Sequence, residues 1–468
     1  MNEKKGHILK FFKIYGPVLF LYLLFSIIFT YPLIFKMRTG LYGPFFNTDI
    51  RGAVWTLWWT KYAFLHHLNY NLCPFVCAPC GLDLTNHVTF WITFGFSRGM
   101  LLLASPILFL NIATLIGFIL SGILTYSLVS RLTQSTIAGI ISGFIFAFSP
   151  YHLNKIMEFT FNFYGTWFVL FVITLLNLKE NLCLKNVLLA AVAYAVLLDV
   201  NAYYGVGGAI FTLGLLIFCF SFSWKKKFVL LLKPNKSIEI KQKIFHGLRL
   251  PLALASLFVL AFLIELPSLI PLIKKLIFME TTLIQKESIG LLRSFNYLFA
   301  QSARPLSYLL PASTHPFFGP LTKKMFGSIF YGRGSIEQTL YLGWIPLILA
   351  YAAFRRWKYK RSYVNQYPDY LSSKDNFYIG FFIFSAWLAF FFSMPPYVDL
   401  GIFKFYFPSF FIYKILPMFR AYARFGMIVM FCVSILAALM RATSSGGETV
   451  SASVVAKLRS RRSPNDCP

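Results

Sequence analysis

An all-α, polytopic membrane protein is the fold class this sequence predicts, and three observations predict it. The 468 residues are 57% hydrophobic and 19% aromatic with only 13% charged, and mean hydropathy is +0.65, outside the range of soluble domains. The apolar residues gather into runs of helix length. The basic residues gather on one side of the order those runs impose.

Ten runs read as transmembrane spans: Ile14–Ile34, Ile107–Leu132, Thr136–Pro150, Phe161–Leu178, Val187–Leu198, Tyr203–Phe222, Pro251–Ile273, Thr339–Phe354, Phe377–Ser393 and Ala421–Met440. The first follows a basic N-terminus, Met1–Lys13, and has no small-residue cleavage site, so it reads as an uncleaved span. Thr136–Pro150 and Val187–Leu198 are shorter than the roughly 17 residues an upright span wants, and read as half-inserted or broken helices lining a protein-walled cavity. With the N-terminus cytoplasmic, the segments on that side hold 26 of the 44 Lys and Arg and 7 of the 16 acids. Runs such as Trp224-Lys-Lys-Lys227 and Arg355–Arg361 fall there, so the net charge of +28 is an orientation signal. No stacking platform or reading motif accompanies the charge, which argues against nucleic acid as a partner. Residues 1–440 therefore read as one transmembrane domain of the inner (plasma) membrane, with outer loops at 35–106 and 274–338 and a basic, disordered cytoplasmic tail at 441–468.

The first outer loop opens on Asn47-Thr-Asp49-Ile-Arg51 and continues into Trp55, Trp58 and Trp59, spaced i, i+3 and i+4 on what reads as an interfacial helix. A carboxylate at Asp49, eased by the amides of a helix N-terminus, suits a general base, with Arg51 beside it for substrate; an N-cap is the plainer reading. Cys73, Cys77 and Cys80 with His66, His67 and His87 are ligand types zinc prefers, but the spacing lacks a paired C-x2-C, and a disulfide fits an oxidising compartment better. Asp83, Asn86 and His87 share one face if the chain is helical there, as substrate contacts or as the start of a helix.

Three further constellations lie on the same side. His152, Lys155 and Glu158 recur every third residue after Ser149-Pro150, and read as a pocket or as an interfacial salt bridge. Asp199, Asn201, Tyr203 and Tyr204 read as a tight turn carrying a tyrosine pair able to stack on a sugar ring or an isoprenoid. Arg304, Arg333, Arg420 and Arg424 complete the set; the last two are four apart at a helix end, placed to fork a phosphate or to snorkel.

Tyr31-Pro32 followed by Asp49 with Trp58-Trp59, then Ala147-Phe-Ser-Pro-Tyr151, Tyr203-Tyr204 and Pro417-x-x-Arg420-x-x-x-Arg424-Phe, in this order across residues 15–440, resemble the GT-C superfamily of membrane glycosyltransferases. The likeness is to bacterial relatives of protein O-mannosyltransferases and aminoarabinose transferases. It implies an inverting hexosyltransferase that takes a sugar from a polyprenyl-phosphate carrier to a lipid, glycan or protein acceptor on the outer face, among membrane lipids. Asp49 would be the base and Arg420 or Arg424 would hold the carrier phosphate. Family members often carry two adjacent acids where this chain has Asp49, Ile50 and Arg51, so no cofactor is expected and a divalent metal is not favoured. The Ser444-Ser-Gly-Gly447 segment and Arg-rich tail depart from family members that continue into further spans, as in a shortened chain. A transporter or flippase of lipid-linked sugars, and a structural partner in envelope polysaccharide synthesis, are the competing readings.

Overall fold

A computed structural model describes residues 2–43, 48–79, 81–84, 105–156, 164–231, 237–278, 293–332, 337–364 and 373–440. Its described part is mostly helical. Helix α1 (Asn2–Phe29) holds the first apolar run, and α2 (Thr48–Leu65) begins at the Asn47–Trp59 stretch. Helix α3 (Pro106–Thr133) starts at Ser105, whose hydroxyl accepts from the Leu108 amide, with Pro106 at the first helical position. It stops at Gln134, which takes a left-handed conformation (φ 54°), and Ser135 then caps α4 (Thr136–Ala147) by accepting from the Ala138 amide. One left-handed residue between a stop and a cap makes a tight reversal, so α3 and α4 pack side by side.

Small residues let α1 join that pair. Tyr22 reaches between Gly122 of α3 and Gly143 of α4, its hydroxyl donating to the Ile140 carbonyl at 3.0 Å; a Cβ at either glycine would strike the tyrosine. Helix α4 ends where Ser149 and Pro150 follow: Ser149 caps α5 (Pro150–Lys155), and Pro150 has no N–H to continue the ladder.

The second half of the bundle is built on α6 (Tyr164–Glu180), α7 (Leu184–Val200), α8 (Ala202–Leu231) and α9 (Ser237–Phe278), with α7 packed against all three of the others. A loop with short helices α10 (Phe295–Ala300) and α11 (Gly319–Lys324) leads to α12 (Trp344–Val364), which lies along α13 (Ser373–Ser393). After α14 (Pro408–Ile415) and a 3-10 turn at Tyr422–Phe425 comes α15, residues 426–440. This last helix is the centre of the molecule: the apolar window Tyr422–Met440 is 89% buried, and Phe431 meets Phe146 at 5.1 Å, Phe168 at 5.4 Å and Phe382 at 6.3 Å.

Described helices cover most of each predicted run, although Ile14–Ile34 outruns α1, Thr339–Phe354 begins before α12 does and the start of Phe161–Leu178 lies outside the described residues; five helices among the described residues are long and apolar enough to cross a membrane: Pro106–Thr133, Thr136–Lys155, Ala202–Ser221, Leu248–Ile270 and Tyr422–Met440. Tyr15–Phe29 and Phe377–Ser393 are apolar but shorter. Helices α6 and α7 have 17 residues each, at the lower limit for a span, and α12 runs into the basic segment starting at Arg355. Of the two runs expected to be broken, Thr136–Pro150 has its α-helix interrupted between α4 and α5, although the two together make one apolar stretch of 20 residues, and Val187–Leu198 is not broken but lies inside the continuous α7.

Two small antiparallel ribbons complete the fold. In the first, β1 (Leu72–Cys73) pairs with β2 (Leu82–Asp83); in the second, β3 (Tyr397–Asp399) pairs with β4 (Lys404–Tyr406) through a turn with Gly401 at φ 81°. Asp83 therefore sits in a strand, and the helical face expected from Asp83 onwards does not start there. Trp59 also departs from expectation: it is buried, donating from its indole to the Tyr70 carbonyl at 2.8 Å within a small core that includes Cys73 and Leu84, whereas Trp58 is exposed.

Candidate functional site

Two groups of charged and polar side chains are held by contacts between helices. In one, Arg131 meets Asn177, the Tyr378 hydroxyl donates to Glu180 at 2.5 Å, and Lys179 lies over the Phe377 ring at 3.7 Å. The other is a buried ion cluster. There Lys155, at the last position of α5, places its Nζ 2.9 Å from Glu337 Oε2. Arg424, in the turn before α15, donates from Nη2 to Glu337 Oε1 at 2.7 Å and from Nε to Oε1 at 3.0 Å and Oε2 at 3.3 Å.

Each partner is held by local chemistry. Lys155 is placed by the α4–α5 break, because His152 Nδ1 lies 2.8 Å from the Phe146 carbonyl and ties α5 to the end of α4. That bond makes Nδ1 the donor and leaves Nε2 turned toward Gly165, without a hydrogen-bond partner among the described residues. Glu337 is held by its neighbours: the Gln338 amide donates to the carbonyls of Ala300 at 3.1 Å and Ser302 at 2.8 Å, and Leu340 is fully buried against Gly426. Burial by itself would push the Glu337 carboxyl up, but Arg424 and Lys155 outweigh it and hold the group well below the usual carboxylate range. The carboxylate is therefore ionised at neutral pH.

Tyrosines frame the cluster. The Arg424 guanidinium lies over the Tyr203 ring at 4.8 Å, and the Tyr203 hydroxyl accepts from the amides of Arg420 at 2.8 Å and Ala421 at 3.2 Å. Tyr204 is buried with its hydroxyl on that of Tyr151. The sequence expectation that the pair stacks on a ligand is thus corrected: one ring is sealed inside, and the other carries Arg424 on its face and Phe419 at its edge.

The arginine pair is corrected too. Residues 417–421 are not helical and 422–425 form a 3-10 turn, so Arg420 and Arg424 do not stand one α-helical turn apart. They diverge: Arg424 forks Glu337, while the half-buried Arg420 turns toward the Tyr297 ring, 5.8 Å from its centroid, and makes no ion pair among the described residues. Arg304 is not an outward phosphate ligand either. It is buried, donating to the carbonyls of Ala303 at 3.3 Å and Phe299 at 3.2 Å, and burial lowers its pKa to about 10.

The remaining predicted residues scatter. Asn201 accepts from the Tyr203 amide and so caps α8, which is turn chemistry. Asp199 is in the last turn of α7 instead of the turn itself, buried, and close enough to act electrostatically on the buried Glu265 of α9. Arg51 and Asp83 are exposed. Asp49 stands in the first turn of α2, its side chain outside the described residues, as are His87, Glu158, Arg333 and Cys80. Among the described residues no three His, Cys, Asp or Glu side chains group as a metal site.

Comparison with protein-family models, curated proteins and solved structures finds no match. Glu337 is the member of the cluster that motif reading passes over. Its signal is scarcity: acids number 16 in the chain, and this one stands two residues before the apolar run that starts at Thr339. An acid so placed needs a cation nearby.

Proposed function

We propose that this chain is a glycosyltransferase of the inner (plasma) membrane, moving a sugar from a polyprenyl-phosphate donor to an acceptor at the bilayer surface. The observation that carries the reading is the ion cluster at the bundle end, where Lys155 and Arg424 hold a single carboxylate, Glu337, while Arg420, four residues before Arg424, turns toward Tyr297 and makes no ion pair among the described residues. Two cations and one acid hold the site together, and Arg420 beside them adds the charge that a lipid phosphate requires. A phosphate arriving from the bilayer would meet it where helix ends, aromatic rings and guanidinium converge.

In the reaction, Asp49 at the start of α2 takes the proton of an acceptor hydroxyl. The acceptor oxygen bonds to the anomeric carbon as the bond from that carbon to the phosphate oxygen breaks, and polyprenyl phosphate departs with both electrons, leaving inverted configuration. In this reading the ten runs are spans, the N-terminus is cytoplasmic and the cluster faces outward. The test uses the full chain in proteoliposomes with radiolabelled polyprenyl-phosphate sugars, following label into lipid, glycan or peptide. Transfer that Asp49→Asn abolishes, with insertion unchanged, supports the reading; absence of transfer across donors and acceptors overturns it.

One observation favours a second reading. Asp199 and Glu265 are buried acids on neighbouring membrane helices, the kind of pair that marks an ion or proton path in transporters. Movement of intact donor across the bilayer, with the sugar still attached, would establish transport of lipid-linked sugars instead.

A further inference from the structure

The β3–β4 ribbon and α14 behind it carry apolar surface that no element among the described residues covers. All three residues of β4 are exposed, so Phe405 on one face of the ribbon and Tyr406 on the other are both uncovered. At the turn Ile402 is 95% exposed and Phe403 beside it 57%; on α14, Phe411 is 57% and Ile415 77% exposed. A two-stranded ribbon with aromatic side chains on both faces does not stand alone in water, so this surface calls for a partner beyond the described elements.

The surroundings say what that partner is. The ribbon leaves the end of α13, an apolar helix whose exposed face carries Trp387 and Phe391. Phe391 stacks on Phe407 with ring centroids 6.3 Å apart, and Phe407 meets Phe405 edge-on at 5.0 Å. The apolar strip is therefore continuous from the apolar helix α13 to the ribbon. Two lysines rim it: Lys404 and Lys414 are both exposed, and the Lys404 contact with Asp399, at 3.9 Å, is loose and open to water. Aromatic and aliphatic side chains bordered by lysine, next to the end of an apolar helix, suit the boundary between acyl chains and anionic headgroups.

We infer that the Tyr397–Ile415 segment lies in the headgroup boundary of the bilayer, with Ile402 and Phe403 dipping toward the acyl chains and Lys404 and Lys414 binding anionic phospholipid. The inference goes beyond sugar transfer and stands independently of it, resting only on the chain being embedded in a membrane.

The experiment places the photoreactive residue p-benzoylphenylalanine at Ile402, at Ile415 or, as a control, at the exposed Lys324 of the full chain. The protein is reconstituted in vesicles of phosphatidylcholine with a minor fraction of phosphatidylglycerol, irradiated and analysed by mass spectrometry. Lipid adducts at 402 and 415 but not at 324, enriched several-fold in phosphatidylglycerol over its share of the vesicle, are expected. Combining Lys404→Glu and Lys414→Glu should abolish the enrichment while lipid adducts persist. Adducts between two copies of the chain, or no lipid adducts at 402, would overturn the inference. In the unmodified chain, amide exchange across residues 397–415 should slow when phosphatidylglycerol replaces part of the neutral lipid; unchanged exchange argues against the lysine contact.

Discussion

Glu337 shows what a buried charge demands of its surroundings. Removing it leaves Lys155 and Arg424 buried without the carboxylate that offsets their desolvation, and breaking such a cluster costs about 3–5 kcal/mol. Glu337→Gln should therefore lower the thermal midpoint in detergent markedly. Because the folded-state pKa is depressed, the group's contribution is complete above the ordinary carboxylate value of 4.5 and is lost as pH falls through the lower folded value. The stability difference between the native chain and Glu337→Gln should thus be flat near neutral pH and shrink on acidification below pH 4.5, which melting curves across acid buffers would read. Arg424→Lys keeps the charge but loses the fork to both carboxylate oxygens, a loss of about 1–2 kcal/mol that the same melts would detect. At this scale the sequence exposed the cations and the tyrosines, since arginines near an apolar run and a Tyr-Tyr pair stand out. It did not expose their partners, because Lys155, Glu337 and Arg424 are brought together across the chain by packing, and spacing along the sequence carries no record of that.

Among the elements, helix starts carry the plainest local signals, although the apolar runs alone misplace some of them, as at Thr339 for Trp344. Ser105-Pro106, Ser135 and Ser149-Pro150 are local signals, and each caps the helix that follows it. The arginine segment misled for the converse reason: Arg420 and Arg424 have helical spacing, yet the Tyr203 hydroxyl takes the amides of residues 420 and 421 and holds that backbone out of the helix. Period alone cannot register such a tertiary override. Packing of α1 was equally hidden, since it depends on Tyr22 meeting two glycines from other helices. A valine at Gly143 would meet the Tyr22 hydroxyl and the Gly122 carbonyl, so Gly143→Val should destabilise by about 1–3 kcal/mol, whereas Tyr22→Phe, which loses one hydrogen bond to Ile140, should cost about 1 kcal/mol. Melting temperatures in that order check the arrangement; a neutral Gly143→Val would mean that α1 does not seat there.

Across the whole molecule, composition was sufficient for the class of fold, because a chain this apolar has few ways to satisfy its backbone other than packed helices. It could not indicate that the last helix is the central one, with Phe431 meeting α4, α6 and α13 at once. The same assembly sets the division of labour at the bundle end. Arg424 belongs to the fold, and Arg420 is the cation the proposed carrier phosphate would meet. Donor binding tests this most directly: the concentration of radiolabelled polyprenyl-phosphate sugar for half-saturation of the reconstituted chain, compared with that of Arg420→Lys. A lysine there keeps the charge and loses the forked hydrogen bonds, so half-saturation should rise by roughly tenfold or more while the melting temperature stays unchanged. Equal half-saturation for the two proteins, or no saturable binding by either, would contradict the assignment of the phosphate to Arg420 and with it the transferase reading of the cluster.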